Sequence, residues 1–199
     1  DPEAALRSQF NFYSAKGHPA TKSGDVNDFA LSSFFIPGGE GREPFRFGGS
    51  LWDFYIEFWL CRNLPNVKVL AFENMKEDLD GHLSCIADFL NLPRPNGDQR
   101  QRILEFCSFE WMASNSNLFD DHHIGERLAK GLGSAGASKL KDNIVPKVGL
   151  QAASHTNATV SDETRALLAR MWSEIVEPVS GLACYWDMLA KLKLPPLAN

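Results

Sequence analysis

Residues 120–149 carry the side chains with the most obvious capacity for chemistry. Asp120-Asp121-His122-His123 strings together four metal-capable residues. Neighbouring side chains on a helix or strand diverge, however, and rarely meet at one ion. An exposed polar loop is the commoner fate of such a run. Gly131-Leu132-Gly133-Ser134-Ala135-Gly136 spells GxGxxG, which cradles a dinucleotide only between a strand and a helix. Here it follows the helix-forming Glu126–Lys130 and precedes Ala137-Ser138-Lys139 with no long helix, so a flexible loop is the better account. Between Ile124 and Gly149, Arg127, Lys130, Lys139, Lys141 and Lys147 face only Glu126 and Asp142. A glycine-flexible, locally basic loop suits the clamping of a phosphate. A solvated loop with scattered lysines explains it equally well. No Walker A, HExxH or GxSxG pattern occurs, so no complete catalytic constellation can be read from motifs.

The chain around this loop has 199 residues, 44% of them apolar, with 14 Phe, 5 Trp and 3 Tyr. That is enough apolar material for a core and too much for disorder. The net charge of −5 disfavours a generic nucleic-acid binder. Cys61, Cys85, Cys107 and Cys184 form no CxxC pair, which removes support for zinc-ribbon and thioredoxin-like folds. Cys85 and Cys107 lie in apolar periodic runs and are expected to be buried, reduced thiols. No metal, no nucleic acid and no transmembrane segment are expected. The first residue is Asp1, not Met, and the expectation is a single domain over 1–199 truncated at its N-terminal side.

Along the chain, Asp1 is placed to cap a helix opened by Pro2. Residues 14–28 and 36–50 read as loops. Ser50 caps a helix whose stripe is Leu51, Phe54, Tyr55, Phe58 and Trp59, ending at Pro65. Val67–Phe72 is the best strand: short, β-branched and apolar. Helical spacing then predicts burial of Leu79, Leu83, Ile86, Ala87 and Leu90, with a stop at Pro93. Further helices are expected at about 98–106, after Ser108, from Ser161 to Pro178, and around 182–192. One strand cannot make a stable sheet. Either the chain is nearly all helical, or the partner strands precede residue 1.

Four stretches, taken together and in order, resemble the PAPS-dependent sulfotransferases of the cytosolic type (PAPS is 3′-phosphoadenosine 5′-phosphosulfate). Pro2, then Ser8, then Phe10, Phe12 and Tyr13 resemble the family's 3′-phosphate segment, whose Arg would fall just before Asp1. Gly49–Phe54 with Glu57-Phe58-Trp59, then Val67–Phe72 and Glu73-Asn74-Met75-Lys76-Glu77-Asp78, resemble its helix, strand and acidic turn. Cys107-Ser108-Phe109-Glu110-Trp111-Met112 resembles its adenine segment. Lys147-Val148-Gly149 resembles the end of its Arg-Lys-Gly…Val-Gly motif, and the resemblance runs to about residue 190. The Arg-Lys-Gly triplet is missing, with Lys141 the best-placed substitute and Lys139 beside it.

The resemblance implies an α/β fold of the P-loop-containing nucleotide transferase type, with a parallel sheet flanked by helices. It implies sulfuryl transfer from PAPS to a hydroxyl or amine of a small-molecule or glycan acceptor. Ser8 would donate to the 3′-phosphate, Phe72 and Cys107 would border the adenine, Phe109 would stack on it, and Lys139 or Lys141 would meet the 3′-phosphate. Asn11, Phe12 and Tyr13 would edge the acceptor pocket. Core packing is the alternative for Phe72, Cys107 and Phe109, and helix packing for Asn11, Phe12 and Tyr13; Ser8 is equally well explained as a surface serine. The catalytic base and the 5′-phosphosulfate loop would lie upstream of residue 1. Thr159-Val160, with His155 nearby, hints at the family's dimerisation motif and so at a homodimer, and a cytoplasmic location is implied. Two rival functions remain: a non-catalytic helical interaction module, and a nucleoside-kinase-like phosphotransferase.

Overall fold

The computed structural model describes residues 1–31, 50–119, 148 and 158–193. Lys139, Lys141, Lys147, His155, the GxGxxG run and the Asp120–His123 run lie outside the described residues. Local chemistry starts most helices. Helix α1 (Pro2–Ala15) begins where the Asp1 carboxylate accepts the Glu3 N–H, and it buries Pro2, Leu6 and Phe10. The polar stretch after it is not all loop. His18 caps a 3-10 turn (Pro19–Thr21), and Asp25 caps a short helix α2 (Val26–Phe29) that buries Val26 and Phe29. Two apolar residues one turn apart after an Asp cap suffice for that turn once they meet a core.

Ser50 and Asp53 form a reciprocal capping box at the start of α3 (Leu51–Cys61). The helix stops before Pro65, tightening into i→i+3 bonds at Arg62 and Leu64. Residues 67–71 then run without helix and lead into α4 (Phe72–Glu77). The expected strand at Val67–Phe72 is not formed. Backbone bonds from neighbouring strands define a strand, and among the described residues Lys68, Val69 and Leu70 donate no backbone hydrogen bond. Phe72 itself opens α4, so the acidic turn after it is helical.

Helix α5 (Leu79–Phe89) is capped by Asp78 and followed by Asn91 in the left-handed region (φ 53°). It buries Gly81, His82, Ser84 and Ala87; Leu79, Leu83 and Ile86 are only half-buried, and Leu90 is exposed. The buried face is thus offset from most of the predicted stripe, of which Ala87 is the member fully buried. Helix α6 (Gly97–Phe106) has an Asn96–Gln99 capping box, and Ser108 caps α7 (Phe109–Ser114). Ser161 caps α8 (Asp162–Met171). The helical run continues through a π turn (Trp172–Val176) into α9 (Glu177–Ser180). Pro178 therefore does not close it. Proline fits in the first turn of α9, where its missing N–H has no helical partner to lose, and Gly181 at φ 70° makes the stop. Helix α10 (Tyr185–Lys191) follows.

The core joins α1, α2, α3, α8 and the π turn. Leu6, Phe10, Val26, Phe29, Trp52, Val160 and Val176 are essentially inaccessible. Asn27 ties the two ends of the described chain across it. Its amide oxygen accepts from the Ser161 N–H (2.9 Å) and the Thr164 hydroxyl (2.8 Å), and its amide donates to the Thr159 carbonyl (3.1 Å). Val160, read from the sequence as part of a dimerisation motif, sits in this core. The described residues contain no strand, so the sheet implied by the resemblance is not among them.

Candidate functional site

Two open clefts flank residues 68–70. The first, of about 610 Å³, lies between the start of α1, one face of α3, residues 68–71, the start of α4, and α10. Its lining includes Ser8, Phe54, Phe58, Phe72, Glu73 and Tyr185. The second, of about 530 Å³, lies on the other side and is basic: Arg62, Lys68, Lys191 and Lys193 line it, with no acidic residue in the lining. The Arg62 guanidinium stacks 3.9 Å from the centre of the Trp59 ring, and Lys193 reaches Glu77 at 3.1 Å.

Of the residues singled out from the sequence, Ser8 and Phe72 meet in the first cleft. Ser8 is exposed, two residues before Phe10, whose side chain is buried in the core. Phe72 is 70% exposed, so core packing does not account for it. The same holds for Phe109, which is 61% exposed at the start of α7. Cys107, expected to be buried, is exposed, and Cys85 is half-buried. Cys107 caps the end of α6, where the chain turns toward solvent before Ser108. Neither Cys107 nor Phe109 lines the first cleft.

Asn11, Phe12 and Tyr13 lie on the second half of α1, away from the cleft lining. Tyr13 packs against His18 (4.8 Å between ring centres) and Phe29 (6.0 Å). Phe12 has the Lys16 ammonium over its ring at 4.3 Å. The Asn11 side-chain oxygen is buried and accepts no hydrogen bond among the described residues.

The cleft also contains a group that sequence reasoning did not single out. Glu73, in the first turn of α4, accepts the Tyr185 hydroxyl at 2.6 Å on Oε2 and the Asp1 nitrogen at 2.7 Å on Oε1. Burial works to raise its pKa. The bonds from the Asp1 ammonium, from Tyr185 and from its own backbone N–H outweigh that, and hold the carboxyl below its ordinary range. Burial pushes both the Tyr55 and the Tyr185 hydroxyls well above the ordinary range, and the Glu73 charge pushes them further the same way. At neutral pH the cluster is therefore one carboxylate fed by neutral tyrosine. Glu73 was visible only as the neighbour of Phe72. Nothing local marks Tyr185, which stands 112 positions away.

Among the described residues no group of three metal-capable side chains is close enough to hold an ion, and no helix is long and apolar enough to cross a membrane.

Luciferin sulfotransferase of Photinus pyralis is 27% identical over 147 residues, covering 73% of this chain and 36% of that protein. Cytosolic sulfotransferase 12 of Arabidopsis thaliana is 34% identical over 73 residues, covering 36% of this chain and 22% of that protein. The chain thus spans about a third or less of the length of these curated relatives. No solved structure matches. The sulfotransferase domain family matches residues 1–148, a span that takes in the cleft's α1, α3 and α4 walls and stops before α8 and α10. On that match the chain belongs to the sulfotransferase family.

Proposed function

We propose that the full-length protein transfers a sulfuryl group from PAPS to a hydroxyl or amine of a small-molecule or glycan acceptor, and that these residues hold the adenosine and 3′-phosphate end of the donor. The observation that carries the proposal is the meeting of Ser8 and Phe72 in one open cleft, in a chain of this family. A hydroxyl is suited to donate to a phosphate oxygen. An exposed phenyl ring is suited to lie against a purine, and stacking of a base on an aromatic ring contributes roughly 1–3 kcal/mol. Phe109 and Cys107 are proposed for the far side of the adenine, and Lys139 or Lys141 for the 3′-phosphate.

In the reaction, the bond between sulfur and the bridging oxygen of the 5′-phosphate breaks as sulfur bonds to the acceptor oxygen or nitrogen. The bridging electron pair stays with the phosphate, and the acceptor proton passes to a base. The role proposed for Ser8, Phe72 and their neighbours is positioning. Anchoring the unreactive end of the donor fixes the angle at which the reactive end meets the acceptor. The base and the groups around the 5′-phosphosulfate have no candidate among the described residues.

The proposed architecture is a parallel sheet flanked by helices, with residues 67–71 as one of its strands. The two clefts support this. The run is largely apolar and β-branched, residues 68–70 donate no backbone hydrogen bond among the described residues, and there is open space on both sides. A central strand needs one neighbour at each edge. Phe72 and Glu73 then follow the carboxyl end of that strand, which is where open α/β sheets bind their ligands.

The test is titration of the full-length protein with adenosine 3′,5′-bisphosphate, followed by thermal unfolding. The expected result is a concentration-dependent rise in Tm, smaller for Phe72→Ala. An unchanged Tm at saturating nucleotide removes donor binding and favours the interaction-module alternative. Protection by ATP with Mg²⁺ in its place favours a phosphotransferase.

A further inference from the structure

Phe72 cannot hold its own position. It is 70% exposed, and it sits at the start of a six-residue helix in which only Asn74 is buried. The stretch before it, residues 68–70, donates no backbone bond among the described residues. Ser8, by contrast, stands on a helix nailed to the core through Leu6 and Phe10. Something must register the loose side of the cleft on the firm side.

From the geometry we infer that Glu73 is that positioning residue, with Tyr185 as its partner; the inference rests on the donor-binding reading above. Glu73 offers one carboxylate oxygen to the Asp1 nitrogen at the head of α1 and the other to the Tyr185 hydroxyl on α10. It thereby clasps three elements at one carboxylate. The remaining polar ties of α4 run to the C-terminal part of the chain: Asn74 donates to the Leu189 carbonyl at 3.1 Å, and Glu77 pairs with Lys193. Among the described residues, the hydrogen bond from α4 to the head of α1 is made by Glu73. When an amide replaces the ammonium at Asp1, the same nitrogen still has an N–H to give that oxygen.

A carboxylate is the group this arrangement requires. It accepts on both oxygens, and both of its neighbours are donors. Glutamine has the same size, but it accepts on one side only and turns an NH₂ toward the other donor. Glu73→Gln therefore breaks one arm of the clasp without opening a cavity. The consequence falls on the distance between Phe72 and Ser8. That distance matters for a ligand with a purine at one end and a 3′-phosphate at the other, and much less for a ligand without the 3′-phosphate.

The experiment measures the affinity of the full-length protein for adenosine 3′,5′-bisphosphate and for adenosine 5′-monophosphate by calorimetry, in the wild type, Glu73→Gln, Tyr185→Phe and Arg100→Ala. The ratio of the two affinities is the readout, since loss of stability alone does not move it. The expected result is a fall in that ratio of about tenfold for Glu73→Gln and a smaller fall for Tyr185→Phe, the scale of one lost hydrogen bond to a charged group. Arg100→Ala, which removes the Arg100–Asp80 pair between α5 and α6, lowers Tm and leaves the ratio unchanged. A wild type with no preference for the bisphosphate overturns the donor-binding reading and this inference together. A wild-type preference that survives in both Glu73→Gln and Tyr185→Phe overturns the inference alone, and Tyr185→Phe decides the matter should Glu73→Gln fail to fold.

Discussion

Helix α3 has two aromatic faces with opposite surroundings. Trp52 and Trp59 point into the core and are 0% and 8% exposed, while Phe54 and Phe58 open onto the cleft and are 55% and 41% exposed. Both faces are aromatic, and the helix is the same. What differs is what lies opposite. The tryptophan side meets α1, α8 and the π turn, with the Trp172 indole fixed by its bond to the Leu182 carbonyl. The phenylalanine side opens onto residues 68–70, which donate no backbone hydrogen bond among the described residues. A helix that is apolar on both faces is built to be covered on both. One face of α3 is therefore covered and the other exposed, in line with the proposal that residues 67–71 join a sheet.

The largest expected effect tests the covered side. Trp52→Ala removes a side chain with no accessible surface and should cost about 3–5 kcal/mol of stability in denaturant unfolding. A loss below 1 kcal/mol would mean that the core has been misassigned. Next comes the polar strap of that same side. Asn27→Ala leaves the Ser161 N–H and the Thr164 hydroxyl without their acceptor, and should cost roughly 1–3 kcal/mol. If the two variants are combined, near-additivity is expected only if the hub and Trp52 act independently.

Phe54→Ala tests the exposed side. In the full-length protein a strand against α3 predicts a cost of roughly 1–2 kcal/mol, the scale for removing a partly covered apolar side chain. A change within about 0.5 kcal/mol, the usual range for surface substitutions, would leave the face in water and count against the sheet. The two outcomes sharpen the comparison in opposite directions.

The same asymmetry decided what could be read from the residues. Helix starts were legible because a cap is local: Asp1, Ser50, Ser108 and Ser161 each mark one, and each caps the helix expected there. Faces were not. The pattern of α3 is apolar nearly all round, so no period picks Trp52 over Phe54 as the buried member. In α5, burial went to Gly81, His82 and Ser84 rather than to Leu79, Leu83 and Ile86, because the covered face is offset from the one the period marks. The strand expected at Val67–Phe72 rested on propensity, and propensity alone does not supply the pairing that makes a strand. In the cleft, Ser8 and Phe72 were singled out through resemblance. Glu73 and Tyr185 were missed, because their meeting is a tertiary fact between residues that no local spacing relates.

Acid should reach the cleft before it reaches the core, and this is the smallest of the expected effects. Glu73 lines the cleft, and Glu3, in the first turn of α1, pairs with both Arg7 and Arg165. Burial raises Glu3, and its bonds and charge pairing with the two arginines more than offset this, so both carboxyls sit below the ordinary value of 4.5 in the folded chain. A depressed carboxylate contributes stability that is fully present above its unfolded value and is lost as pH falls through the folded one. The wild type should accordingly hold a constant Tm down to about pH 5 and lose it progressively below the 4.5 of the free carboxyl. Glu73→Gln should start lower and fall less over that window, because its share of the loss has already been taken. The core side has no such term: Trp52→Ala should shift the whole curve down in parallel. If Glu73→Gln instead runs parallel to the wild type through the acid limb, Glu73 carries no differential protonation, and the clasp at the cleft is held by packing rather than by charge.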